Sequence, residues 1–117
     1  MKKYKEKRPW GNFERFTLNE KSTVKILTIK PKQAPSIQYH HKRAEFWRIL
    51  EGSGKATIGK KTKRVKPGDE IFIKKKQIHS IEAYSKPVKL LEISLGTFDE
   101  KDIVRLKDKY GRIKEGN

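Results

Sequence analysis

The chain has 117 residues, 33% hydrophobic and 38% charged, with 30 Lys and Arg against 14 Asp and Glu for a formal net charge of +16. That length suits one domain with a real core but not two. The lack of Cys excludes a disulfide frame, a thiolate metal site and a Cys nucleophile. No apolar stretch approaches the ~20 residues of a membrane span. The basic opening "MKKYKEKRPWG" is not followed by the apolar region of a secretory signal. A cytoplasmic location with no membrane partner is therefore expected. Charge of this size favours anionic partners. The lysines are scattered, however, with runs at Lys60–Lys61 and Lys74–Lys76 that read as loop tips. No basic helix, aromatic RNA-binding pattern or zinc-finger spacing accompanies them, so no specific nucleic-acid partner is expected.

In chain order, residues 1–7 are expected to be a flexible basic start, 8–112 a single domain, and 113–117 a flexible tail. Short apolar runs recur within the domain: "NFERFTL", "VKILTI", "AEFWRIL", "KATIG", "EIFIK", "HSIEAY" and "VKLLEISL". Several alternate with period two, as Val24, Ile26 and then Ile29 do, and as Ile71 and Ile73 do with Phe72 on the other face. Pro31, Pro35, Gly52, Gly54, Gly59, Pro67, Gly68 and Pro87 fall between the runs. Gly52 and Gly54 bracket a hairpin turn, and Pro67–Gly68 reads as a type II turn. Strands at such intervals without helices predict an all-β antiparallel sandwich or small barrel. Only the tail departs from this. In "DEKDIVRLKDKYGR", Asp99 reads as an N-cap, Ile103 and Leu106 are at i, i+3, and Gly111 closes a short helix or turn. Trp10 and Trp47 stand beside strand starts, which favours core packing over sugar stacking.

The chemistry concentrates in Gln38, His40, Glu45 and His79. Gln38 and His40 are two apart and share one face of a strand. Glu45 opens the next apolar run, and His79 lies just past another. One amide oxygen, two imidazoles and a carboxylate can converge on one divalent cation and leave positions open for water or substrate. Gln-x-His, Glu45 and Gly52 have the spacing of the first signature of cupin barrels, and Gly68 with His79 that of the second.

"RPWG" at Arg8–Gly11, "QYHHKRAEFW" at Gln38–Trp47, "GDEIFIKKKQIHSIE" at Gly68–Glu82 and "EKDIVRLKDKYGR" at Glu100–Arg112 together resemble the type II phosphomannose isomerase domain. In that family the domain usually forms the C-terminal part of a bifunctional mannose-1-phosphate guanylyltransferase/phosphomannose isomerase. The resemblance implies a cupin jelly-roll barrel, a divalent metal (often zinc) and interconversion of mannose 6-phosphate with fructose 6-phosphate. Gln38, His40, Glu45 and His79 match the family's metal ligands. Arg43 matches the arginine beside the metal motif, and Arg105 and Arg112 match the tail pair needed for isomerase activity. Phe46 stands where a His usually follows the Glu. No Gly-rich nucleotide-binding segment precedes Arg8, so guanylyltransferase activity is not expected from this chain.

Aldose–ketose isomerisation moves a proton between neighbouring carbons beside a carbonyl, which a metal can polarise. The phosphate calls for a planar bidentate donor, which Arg supplies. Arg105 and Arg112 are seven apart and share a face if the tail is helical. For the general base, Glu92 is a candidate if its face of "LLEISL" points inward, with Lys42 and Lys89 as alternatives. The expected ligand is a sugar phosphate and the expected assembly a homodimer. A non-catalytic cupin that binds a sugar phosphate or nucleotide sugar is the alternative reading.

Overall fold

A computed structural model describes residues 1–108 and 110–112. The flexible tail expected over 113–117 lies outside the described residues. Eleven strands and no helix occur among those described: β1 (Tyr4–Arg8), β2 (Gly11–Arg15), β3 (Ser22–Ile29), β4 (Ile37–Tyr39), β5 (Ala44–Glu51), β6 (Gly54–Ile58), β7 (Lys61–Val65), β8 (Glu70–Ile73), β9 (His79–Ala83), β10 (Val88–Leu95) and β11 (Val104–Lys107). All pairings are antiparallel. They build a β1–β2 hairpin, a four-stranded sheet β3-β10-β5-β8 and a five-stranded sheet β11-β4-β9-β6-β7. No strand pairing joins the two larger sheets among the described residues. The architecture is thus two facing sheets rather than one closed hydrogen-bonded barrel.

The core lies between those sheets. Ile29, Trp47, Ile49, Ile73, Val88 and Leu90 come from one, and Ala56, Val65, Ile81 and Ala83 from the other. Registers align these inner faces: Ile29 opposes Val88, and Leu90 opposes Ile49. One alternation reads differently in the fold. On β3 it is Leu27 and Ile29 that face the core, while Val24 and Ile26 point outward and are 59% and 62% exposed. Phe72 stands on the outer face of its strand, as its alternation with Ile71 and Ile73 predicted.

Close strand approach explains two glycines. A Cβ on Gly54 would lie 2.2 Å from the Glu82 carbonyl oxygen, and one on Gly52, at φ +80°, would lie 2.1 Å from that of Pro87. Both positions therefore tolerate only hydrogen.

The β1–β2 hairpin includes positions 4–7 of the stretch expected to be flexible. It covers part of the outer face of the four-stranded sheet. Met1 and Phe16 pack on Phe46, Ile93 and Leu95, and Lys3 and Arg48 each bridge Glu14 and Glu70. Trp10 occupies the hairpin turn and is 72% exposed, so its expected place in the core is corrected; Trp47 is buried.

The tail helix is also corrected. Asp99 starts a turn, its carboxylate accepting from the Lys101 N–H at 2.9 Å, but the turn does not propagate. Residues 104–107 instead form β11, with Val104 opposite Tyr39 and Arg105 opposite Gln38. The edge of β4 offers backbone partners that a short isolated helix lacks, and tertiary pairing outweighs a weak local helix signal.

Candidate metal centre

Along the inner faces, apolar side chains give way to polar ones in the same direction on each strand. On β10 the order is Val88, Leu90, Glu92, Ser94; on β5 it is Ile49, Trp47, Glu45; on β9 it is Ala83, Ile81, His79. Antiparallel register places Glu92 opposite Trp47 and Ser94 opposite Glu45. Gln38 lies opposite both His79 and Arg105, so these three side chains share one face. A polar end of the lumen results, above an apolar one.

His40, Glu45 and His79 are buried there, with ligand atoms all within 4.8 Å of one another. His40 Nε2 lies 3.2 Å from Glu45 Oε2, and His79 Nε2 lies 3.7 Å from Glu45 Oε1. The other ring nitrogens settle the tautomers. His40 Nδ1 contacts the Asp102 carbonyl oxygen at 2.6 Å, and His79 Nδ1 that of Gln77 at 2.9 Å. A carbonyl only accepts, so each Nδ1 carries a proton and each ring turns its Nε2 toward Glu45. His79 Nε2 is buried without a hydrogen-bond partner. Burial pushes the His79 pKa down, against the raising pull of Glu45. Burial also opposes the charge of Glu45, yet the His40 hydrogen bond, the two imidazoles and Arg43 hold its carboxyl at about 2. With their Nε2 atoms unprotonated, the two imidazoles and the carboxylate make a donor set that a divalent cation fits.

Neighbouring groups hold the donors in place. Trp47 Nε1 donates to Glu45 Oε1 at 3.1 Å. Arg43 donates to Glu45 Oε2 at 3.2 Å, to His40 Nε2 at 3.3 Å and to the Asp99 carbonyl at 3.1 Å, with its guanidinium over the Phe98 ring. Gln38 shares the face, and its Oε1 accepts from the Ser36 hydroxyl at 2.6 Å, which leaves one lone pair.

Glu92 is buried and inward-facing. Burial, together with the charge of Glu45, pushes its carboxyl up to about 7. Lys42 and Lys89, the alternative bases, are exposed. Arg105 reaches the same face, and its Nε is buried without a hydrogen-bond partner. Arg112 is not brought to this cluster. It is exposed and pairs with Asp108, its Nε 2.9 Å from Oδ2 and its Nη2 3.0 Å from Oδ1. Phe46, cross-strand from Ile93, belongs to the outer face under Phe16, so a His at that position would not reach the imidazoles. Trp47 as a hydrogen-bond donor and Asp102 as a carbonyl partner escaped the sequence reading. Asp102 acts on His40 across 62 positions, a separation that leaves no local signal.

Two facing antiparallel sheets with a His–Glu–His cluster at one end define a cupin, and solved cupins share the fold. An oxalate decarboxylase from Bacillus subtilis aligns with a TM-score of 0.68 and 25% identity over 74% of this chain and 24% of that chain. A cupin protein from Bacteroides fragilis aligns with a TM-score of 0.60 and 24% identity over 70% of this chain and 72% of the other. Within that class the family model described as Mannose-6-phosphate isomerase C-terminal matches residues 1–108. The chain belongs to this family. It is 36% identical over 108 residues to a mannose-1-phosphate guanylyltransferase of Salmonella typhimurium, covering 91% of this chain but only 22% of that protein.

Proposed function

We propose that the domain is a metal-dependent aldose–ketose isomerase that interconverts mannose 6-phosphate and fructose 6-phosphate. The clustering of two imidazole nitrogens and the Glu45 carboxylate within 4.8 Å, with Glu92 and Arg105 on the inner faces beside them, carries the reading. His40, Glu45 and His79, with Gln38 as a fourth donor, would hold a divalent cation, zinc by the resemblance of the donor set. Such a cation, when bound, polarises the sugar carbonyl and stabilises charge developing on its oxygen. Manganese is the other metal to test, since a Bacillus subtilis oxalate decarboxylase of like fold has Mn(II) centres.

The remaining work falls to this chain's side chains. Arg105, whose buried Nε has no hydrogen-bond partner, would donate to the phosphate. Glu92, as carboxylate, takes the proton from C2 of the aldose and returns it to C1 while the O2 hydroxyl proton passes to O1 as the double bond shifts, so Glu92 ends each turnover unprotonated. Its burial raises its basicity into the range where both states are populated near neutrality. Arg43 holds Glu45 and His40 in place and keeps positive charge beside the reacting oxygen. Arg112 would join the phosphate site only by leaving Asp108.

The test is a coupled assay: metal-loaded protein with mannose 6-phosphate, followed by detection of fructose 6-phosphate. Turnover that requires the metal supports the isomerase. The Salmonella typhimurium relative is named for guanylyl transfer, which keeps the non-catalytic alternative in view. Saturable binding of the sugar phosphate or of a nucleotide sugar without turnover would replace the isomerase by that reading. A His40→Ala, His79→Ala double variant should lose stoichiometric metal, and unchanged metal content in it would remove the centre itself.

A further inference from the structure

We infer that Asp102 is a positioning residue for the metal centre, clamping the loop that carries His40 and Arg43 and aligning Arg105 with it. The inference rests on the metal reading above. Asp102 makes three contacts with successive residues of that loop. Its carbonyl oxygen meets His40 Nδ1 at 2.6 Å, its Oδ1 accepts from the His41 N–H at 2.9 Å, and its Oδ2 accepts from the Lys42 N–H at 2.9 Å. His41 and Lys42 are exposed, whereas Asp102 is 9% exposed and its carboxylate is bound to the two amides beneath them.

Each contact has a distinct consequence. The carbonyl contact fixes the proton of His40 on Nδ1 and aims Nε2 at Glu45, and such outer partners set the orientation and basicity of a ligating imidazole. The carboxylate satisfies two consecutive backbone donors, one at each oxygen. The same segment is fastened a second time where Arg43 Nη1 donates to the Asp99 carbonyl at 3.1 Å. Two residues beyond Asp102, Val104 enters the pairing with Tyr39 that puts Arg105 opposite Gln38. One side chain therefore ties the ligand loop to the strand that brings Arg105 to the centre. A merely structural cap would stabilise the loop without governing the His40 ring.

Asp102→Asn and Asp102→Ala, titrated with Co(II) in the full chain, test this. Asn keeps the size but replaces one acceptor by a donor that opposes an N–H. Both variants should bind Co(II) about 10- to 100-fold more weakly than wild type. Both should change the visible absorption of the bound Co(II) and alter the ¹⁵N shifts that report the Nδ1–H tautomer of His40 in the metal-free protein. Asp69→Asn removes a comparable carboxylate contact, to the Lys66 N–H at 3.0 Å in a turn, and should bind Co(II) as wild type does. Far-UV circular dichroism establishes that each protein is folded. If Asp102→Ala fails to fold, the Asn variant and its His40 ¹⁵N shifts decide. Wild-type Co(II) affinity, absorption and His40 shifts in folded Asp102 variants would overturn the positioning role while leaving the centre intact. Failure of the wild type to take up Co(II) would overturn the metal centre and this inference together.

Discussion

Glu92 and Arg105 separate an isomerase from a cupin that only binds metal. The folded-state carboxyl of Glu92 sits at about 7, above its ordinary 4.5. Between those values the folded state holds the extra proton, so the contribution of Glu92 to stability is full below about 4.5 and falls as pH rises through that window. The loss is on the order of 3 kcal/mol. Glu92→Gln should flatten this part of the stability profile, measured by urea unfolding from pH 4.5 to 8. If Glu92 is also the base, kcat rises with pH as its carboxyl ionises, and the Gln variant turns over roughly 10²–10⁴-fold more slowly. Arg105→Ala should lower kcat/KM by about 10²-fold through a raised KM, with Lys recovering only part of it. Metal content should stay normal in that variant. Arg112 already shares its fork with Asp108, so its replacement should cost less than that of Arg105. Wild-type kinetics in Arg105→Ala would leave the isomerase without its phosphate contact.

At the scale of strands, the fold depends on which face each one presents. Leu90 is fully buried on the inner face of β10, whereas Ile26 on β3 is 62% exposed. Leu90→Ala should cost roughly 2–5 kcal/mol, and Ile26→Ala within about 0.5 kcal/mol of nothing, both read from urea midpoints. Equal costs would mean that the two faces of the four-stranded sheet are misassigned. Gly54→Ala is the sharper test of the β6–β9 approach. Its methyl would meet the Glu82 carbonyl oxygen at 2.2 Å, and that backbone oxygen can move only by breaking strand register. A loss of several kcal/mol is expected, with cooperative unfolding retained.

For the molecule as a whole, the charge of +16 is the dominant long-range property. Lysines occupy the exposed faces and loops of both sheets rather than one stripe, so the field attracts small anions without forming a groove for a duplex. Inorganic phosphate or sulfate should compete with substrate at about millimolar levels, seen as a rise in apparent KM. Duplex DNA should bind weakly and lose affinity steeply with salt. Tight sequence-specific binding at physiological ionic strength would reverse this reading.

Much of this protein follows from local pattern. Period-two runs cut by Gly and Pro predicted an all-β chain, because alternation and turn chemistry act over a few residues. The spacing singled out Gln38, His40, Glu45 and His79 before any geometry, and the fold clusters His40, Glu45 and His79 with Gln38 opposite His79. What depended on distant partners was not legible. The tail became strand β11 because β4 offered an edge, and that pairing turned Arg105 inward while Arg112 stayed with Asp108. Val24 and Ile26 went to the outer face because Leu27 and Ile29 of the same strand, opposite Leu90 and Val88 of β10, met the core. The raised pKa of Glu92 depends on burial beside Glu45, and the Asp102 contact to His40 spans 62 positions. Local periodicity selects the elements; the choice of face, partner and proton position depends on contacts that exist only once the sheets have met.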